Sequence, residues 1–399
     1  MWEQEIDTNQ VVEIRTKTTA YLGVGAIHKM NDIAAVLITR KIKKVVVISG
    51  KGSHIKSGAW DAVKSALDEK GIAYVLYSKI TPNPTVDHVD EAAKLARDFG
   101  ATAVIAIGGG SPIDAGKGVA VMLAYPERTA RELCEFKFTV EKAAPIIAIN
   151  LTHGTGTEVD RFAVITIPEK EFKPALAFDC LYPLYSIDDP ALMTLLPPDQ
   201  TSFVSVDAVN HVIEAATTTL GNPLAITLAK ETIALVARYL PQAREEPRNL
   251  KARYHLLYAS LIGGTAFDNG LLHLTHALEH PLSGLKPELA HGLGLGILLP
   301  SVIKHIYPAK GKILAEILAP LVPGLKGTPD EAARAAAGIK IWLKEVGIGE
   351  HLANEGFSEQ DLDRLVELAF STPSLESLLS LSPIKATREV VRAIYKDSL

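Results

Sequence analysis

The chain has 399 residues, of which 47% are hydrophobic and 22% charged, enough for two or three packed domains and too apolar for a disordered polymer. Its 41 basic and 46 acidic residues give a net charge of −5 and no basic cluster, which argues against a nucleic-acid partner. Two cysteines, Cys134 and Cys180, cannot build a disulfide framework and read as thiols in a reducing cytoplasm. The acidic N-terminus lacks the apolar core of a signal peptide, and the longest apolar run, Leu293 to Val302, is too short to span a membrane.

The first half alternates short apolar runs with helical patterns. Val45 to Ser49 reads as a buried strand, 57–70 as a helix and Ala73 to Tyr77 as the next strand. A helix over 86–99 leads to a third strand, Ala103 to Ile107, and Pro145 to Ile149 is a fourth. Phe162 to Ile167 and Ala175 to Phe178 add two more. This alternation predicts βαβ units and a mainly parallel sheet. From Pro198 onward apolar positions recur every three or four residues, predicting helices over 201–218, 223–240, 250–268, 271–282, 291–305, 310–319, 330–346 and 359–370. The predicted organisation is therefore an α/β Rossmann-like domain over 1–190 followed by an all-helical domain over 191–399.

The strand at 103–107 runs into Gly108-Gly109-Gly110-Ser111-Pro112, with a helix starting near Pro112. Glycines let a ligand approach the backbone, and the helix N-terminus behind them suits a pyrophosphate. Lys117, further along that helix, reads as structural or solvated. A second polar turn, Leu151 to Glu158, follows the fourth strand, and its hydroxyls and amides suit phosphate or ribose. His153 sits within this candidate cofactor loop. At the end of the first predicted strand stands Gly50-Lys51-Gly52-Ser53, with no acidic residue to bind the ribose hydroxyls. A glycine, a cation and a hydroxyl there accommodate a 2′-phosphate, so Gly50 and Ser53 favour NADP over NAD.

Asp207 and His211 stand four apart on one predicted helix face. His273, His276 and His280 follow at three- and four-residue steps, and His291 opens a further segment. Stacked histidines on an apolar face are poor core material, because each carries a donor and an acceptor to satisfy. Metal binding removes that cost. Carboxylate and imidazole donors suit Fe²⁺, Mn²⁺, Co²⁺ or Zn²⁺, and the lack of thiolates argues against a structural zinc. Spacing alone leaves His273, His276, His280 and His291 as competing ligands beside Asp207 and His211. The remaining histidines, 28, 54, 88, 255, 305 and 351, read as surface or locally bonded.

Taken together, Pro82-Asn-Pro-Thr85, Gly108-Gly-Gly-Ser-Pro-Ile-Asp114, Gly154-Thr-Gly-Thr-Glu158, Asp207-Ala-Val-Asn-His211, His276-Ala-Leu-Glu-His280-Pro281 and His291-Gly292 resemble the iron-containing (group III) alcohol dehydrogenase family, in its order and over nearly the whole chain. The resemblance implies a Rossmann-like domain followed by a helical one. It implies Asp207, His211, His276 and His291 as ligands of one divalent metal, Fe²⁺ first, with Mn²⁺, Zn²⁺, Co²⁺ and Ni²⁺ as alternatives. His280 is then the non-ligand histidine beside the nicotinamide and the candidate proton relay. Gly109, Gly110, Ser111, Asp114, Thr152 and Thr155 become cofactor contacts, with Asn83 and Lys173 near the nucleotide. A glycine at position 50, where many relatives have Asp, again favours NADP. His273 stands where the family often has glycine. The expected activity is hydride transfer between a primary alcohol or aldehyde and NADP(H), in a cytoplasmic homodimer. A polyol dehydrogenase or dehydroquinate synthase-like lyase of the same fold, and a metal-dependent hydrolase, are the competing expectations.

Overall fold

The structure is a computed structural model and describes residues 13–399. It divides into two compact units. The first comprises 16–196 with 246–261, and the second, among the described residues, 13–15 with 197–245 and 262–399.

In the first unit, six parallel strands form one sheet. The edge strand β1 (Thr19–Leu22) leads into α1 (Met30–Thr39) and then β2 (Lys44–Gly50). Val45 to Ile48 are buried on both faces of the sheet, as expected of a central parallel strand. The predicted 57–70 helix is α3 (Ala59–Glu69), preceded by an unexpected single turn, α2 (Ser53–Lys56), and separated from it at Gly58, which takes a left-handed conformation. Then come β3 (Ala73–Ile80), α4 (Val86–Phe99), β4 (Ala103–Gly108), α5 (Gly110–Ala124), α6 (Ala130–Cys134) and β5 (Ile146–Asn150). Of the two extra strands expected, β6 (Phe162–Val164) and β7 (Ala175–Ala177) are shorter and form a separate antiparallel pair. The strand β8 (Tyr185–Asp188) completes the main sheet against β5 and β1, giving the order β1-β8-β5-β4-β2-β3.

Chain order and sheet order determine where a ligand fits. From β2 the chain passes outward to β3, whereas from β4 it passes the other way to β5. The direction reverses between β2 and β4, and α/β sheets bind ligands at the carboxyl ends of strands flanking such a reversal. Gly50 ends β2 and Gly108 ends β4.

The second unit contains α7 (Pro198–Thr217), α8 (Pro223–Glu245), the C-terminal part of α9 (Leu250–Gly270), α10 (Leu274–Leu285) and α11 (His291–Ile317). It continues with α12 (Ala332–Glu345), α13 (Leu362–Ser371), α14 (Leu375–Ser380) and α15 (Arg388–Asp397). No strand follows Asp188 among the described residues. The helices expected over 291–305 and 310–319 join as α11, with a break at Lys310 (φ −130°, ψ 25°) just after Pro308. No helix among the described residues is long and apolar enough to cross a membrane.

Candidate active site

The two glycine-threonine loops of the first unit sit side by side, since Gly108 pairs with Asn150 at the ends of β4 and β5. Leu151 N–H donates to Gly108 O (2.9 Å), and Thr152 N–H to Asn150 Oδ1 (3.0 Å). A Cβ on Gly109 would lie 2.8 Å from Thr152 Cγ2, and one on Gly110 would lie 2.7 Å from Thr155 Cγ2. The glycines thus do more than admit a ligand: they let the second loop seat its threonines against the first. Gly109, Gly110, Ser111, Thr152 and Thr155 remain half-buried at this edge, and the Thr152 hydroxyl has no hydrogen-bond partner. Gly50 and Ser53 lie at the neighbouring strand end, Ser53 exposed. Asn83, in the turn after β3, takes a left-handed φ of 55° between two prolines, a conformation that asparagine tolerates better than most residues.

Asp114 sits one turn into α5. Its Oδ1 accepts from Thr157 Oγ1 (2.7 Å) and its Oδ2 from Val164 N–H (3.0 Å). Burial pushes this carboxyl up, against the pull of Lys117 and Lys173. Lys117 is fully buried and structural. Its Nζ donates to the carbonyls of Thr157 (2.7 Å), Asp160 (3.0 Å) and Phe162 (2.6 Å), and to Thr157 Oγ1 (2.8 Å) and Asp160 Oδ1 (2.9 Å). His153 is also committed to the scaffold: buried, it accepts from Arg253 Nη1 at 2.9 Å, and burial and that guanidinium lower it to about 3. His54, read as surface or locally bonded, is buried beside Trp60.

In the second unit four side chains converge. Asp207 Oδ1 lies 3.5 Å from His211 Nε2, 3.5 Å from His276 Nε2 and 3.9 Å from His291 Nε2. Asp207 and His211 come from α7, His276 from α10 and His291 from the first position of α11. The His211 ring stacks between Phe267 (centroids 4.5 Å) and His276 (4.6 Å). His280 lies behind, its centroid 6.4 Å from His276 and 5.9 Å from His291.

Sequence models of known families match in two stretches: iron-containing alcohol dehydrogenase over 17–190, and the C-terminal part of the same family over 201–399. The chain is 59% identical over 398 residues to a long-chain primary alcohol dehydrogenase of Thermoanaerobacter ethanolicus, covering 100% of both. The chain belongs to the iron-containing alcohol dehydrogenase family. Among solved structures, an archaeal halo-thermophilic alcohol dehydrogenase from a Red Sea brine pool superposes with TM-score 0.89 at 28% identity, over 98% of this chain and 100% of that one. An NADH-dependent butanol dehydrogenase of Thermotoga maritima gives 0.89 at 29%, over 98% of each. The protein is accordingly an alcohol dehydrogenase, an oxidoreductase acting on a small-molecule alcohol or aldehyde. Membership implies a divalent metal and an NAD(H) or NADP(H) cofactor.

The donor set in this alcohol dehydrogenase fits a divalent ion. Asp207 Oδ1 and His276 Nε2 are buried without a hydrogen-bond partner, a cost that cation binding relieves. Burial would raise the Asp207 carboxyl, yet His211, His276 and His291 hold it well below the usual carboxylate range. Burial likewise opposes a charge on His276, but Glu214 and Asp207 overcome it and push the imidazole up to about 9. Burial leaves His211 lowered to about 4.

Two residues escaped sequence reasoning. Glu214 bonds His276 Nδ1 and Glu279 bonds His291 Nδ1, so both imidazoles turn Nε2 toward Asp207. Their signal was faint: Glu214 continues the Asp207/His211 face at the next turn. His273 is also placed differently from expectation. It precedes α10 rather than sharing a face with His276 and His280, because Leu271 takes a left-handed φ of 62° and the helix begins at Leu274. Its Nε2 meets Thr217 Oγ1 at 2.9 Å and its Nδ1 lies 3.6 Å from Glu214, so it packs behind the cluster.

Proposed function

We propose that this protein is an NADP(H)-dependent primary alcohol dehydrogenase in which Asp207, His211, His276 and His291 hold one catalytic divalent ion, Fe²⁺ foremost. The observation that carries the reading is the set of three Nε2 atoms within 3.9 Å of one buried carboxylate oxygen, itself without a hydrogen-bond partner. An ion held by these four side chains would supply Lewis acidity toward the alcohol hydroxyl, and a nicotinamide cofactor would supply the hydride-transfer chemistry. His280 takes up or returns the hydroxyl proton on its imidazole. Gly109, Gly110 and Ser111 offer free amides at the start of α5 to the pyrophosphate, and Thr152 and Thr155 line the facing edge. Asp114 holds that edge in shape through Thr157. Asn83 and Lys173 complete the nucleotide site. Absence of an acidic side chain at Gly50, with Lys51 and Ser53 exposed beside it, supports NADP. A long-chain alkyl alcohol is the proposed substrate, by likeness to the Thermoanaerobacter enzyme. Both cysteines are free, in keeping with a reducing cytoplasm. A homodimer is the proposed assembly.

Metal-loaded protein should oxidise NADPH with a long-chain aldehyde, followed by nicotinamide absorbance. Chelation should abolish turnover, and Fe²⁺ should restore it. His276→Ala should lose metal while keeping the circular dichroism of the wild type. Metal retained at wild-type stoichiometry in that variant would refute the ligand assignment, and activity indifferent to chelation would refute the metal's role.

A further inference from the structure

Helix α10 begins without a cap of its own, since His273 at the N-cap position makes no side-chain capping bond. Its first amides are satisfied from another helix. Glu214 on α7 is fully buried, and its Oε1 accepts from the N–H groups of His273 (3.1 Å), Thr275 (2.7 Å) and His276 (3.4 Å). A carboxylate at a helix N-terminus is favoured by the helix dipole and by charge-assisted bonding. Its second oxygen, Oε2, takes the bond from His276 Nδ1. One side chain therefore fixes both where α10 starts and how its first functional imidazole is turned. Glu279 does the second task for His291: one oxygen bonds His291 Nδ1 and the other accepts from Ser283 Oγ. Gly294 gives this carboxylate room, since a Cβ there would stand 3.0 Å from Glu279 Cγ.

We propose that Glu214 and Glu279 are positioning residues that hold the Nε2 atoms of His276 and His291 preset for the ion, with Glu214 also making the start of α10 part of the metal site. This rests on the reading of Asp207, His211, His276 and His291 as ligands. Pinning Nδ1 removes the freedom of each ring to turn, fixes its tautomer and leaves more electron density on Nε2. With Asp207, the two glutamates set three carboxylates against the charge of a divalent ion.

The test is Co²⁺ affinity of the full-length protein, measured by chelator competition and by the visible spectrum of the bound ion. Glu214→Gln keeps an oxygen for the amides of α10 but loses the charge, and Glu279→Gln is its counterpart on the other histidine. Each should weaken Co²⁺ binding about 10–100-fold, with the melting temperature of the metal-free protein close to wild type. Tyr395→Phe is the structural control. It removes the bond from Tyr395 Oη to Leu278 O (2.7 Å), and should lower the melting temperature without moving Co²⁺ affinity. Wild-type affinity in both glutamine variants would overturn the proposal. Should Glu214→Gln not fold, Glu279→Gln decides alone. Asp207→Ala separates the two levels: if it abolishes Co²⁺ binding while the glutamine variants bind normally, only the positioning role fails. If it leaves binding intact, the ligand reading fails and this proposal with it.

Discussion

Gly50 leaves the end of β2 without a side chain at the place proposed to meet the adenosine ribose, where a carboxylate would select NAD. A Cβ there would stand 3.3 Å from Ile80 O and 3.8 Å from Ser53 Oγ, so an aspartate fits if its neighbours yield by a few tenths of an ångström. Gly50→Asp should move the kcat/KM ratio of NADP over NAD toward NAD by roughly tenfold or more, since each tenfold is about 1.4 kcal/mol and a like charge facing a 2′-phosphate readily costs that much. An unchanged ratio would count against the placement of the 2′-phosphate beside Gly50. Gly109 and Gly110 answer to a different constraint. Their missing side chains leave space filled by Thr152 and Thr155, so the threonine loop and the glycine turn act as one surface.

At the scale of elements, the proposed metal cluster depends on how closely α11 approaches α7. A Cβ on Gly292 would lie 2.0 Å from Phe203 O, a backbone atom that cannot step aside without moving the helix. Gly292→Ala should therefore destabilise the protein by about 1–3 kcal/mol and, by displacing the adjacent His291, lower metal occupancy. Thermal melts and metal analysis on the same sample check both. This closeness was not legible in the sequence, where Gly292 reads only as part of a His-Gly pair. Strands β2, β4 and β5 were legible because Val45 to Ile48, Ala103 to Ile107 and Ile146 to Ile149 are buried on both faces and so spell unbroken apolar runs. Strand β8 was not, because Tyr185-Ser-Ile-Asp188 places two polar side chains in the interior, where Ser186 Oγ and Asn150 Nδ2 (3.2 Å) both donate to Asp188. The Asp207/His211 pair showed itself through helical spacing. Glu214 did not, because a lone glutamate on a helix ordinarily marks a solvated face, and only the fold reveals that it caps a helix some sixty residues later. His273 misled for the same reason: its spacing is helical, but the cap that starts α10 comes from α7.

At the scale of the molecule, buried titratable groups away from the metal cluster set opposing dependences on pH. His153 is held neutral down to about 3 by burial and Arg253. Its unfolded value is about 6.5, so between these limits the unfolded chain binds the extra proton and stability falls as pH is lowered. His153→Gln, which keeps an acceptor for Arg253, should remove about 1.4 kcal/mol per pH unit of that loss between about pH 6 and 4, read from denaturant melts. Glu158 acts in the reverse sense. Burial and the neighbouring Asp188 raise its carboxyl well above the usual range, so its contribution is present in acid and lost as pH rises above the unfolded value. Glu158→Gln should raise the melting temperature at pH 8 and leave it nearly unchanged at pH 4. An equal shift at both pH values would remove the electrostatic explanation. Lys117 of α5 is anchored to the same loop by its amine. An acylating reagent reacts only with a free, exposed amine, and this amine is enclosed by the oxygens of Thr157, Asp160 and Phe162. Its labelling rate, followed by peptide mass spectrometry, therefore counts the openings of the proposed nucleotide cradle. Saturating NADP(H) should slow that rate while the exposed lysines are labelled as before.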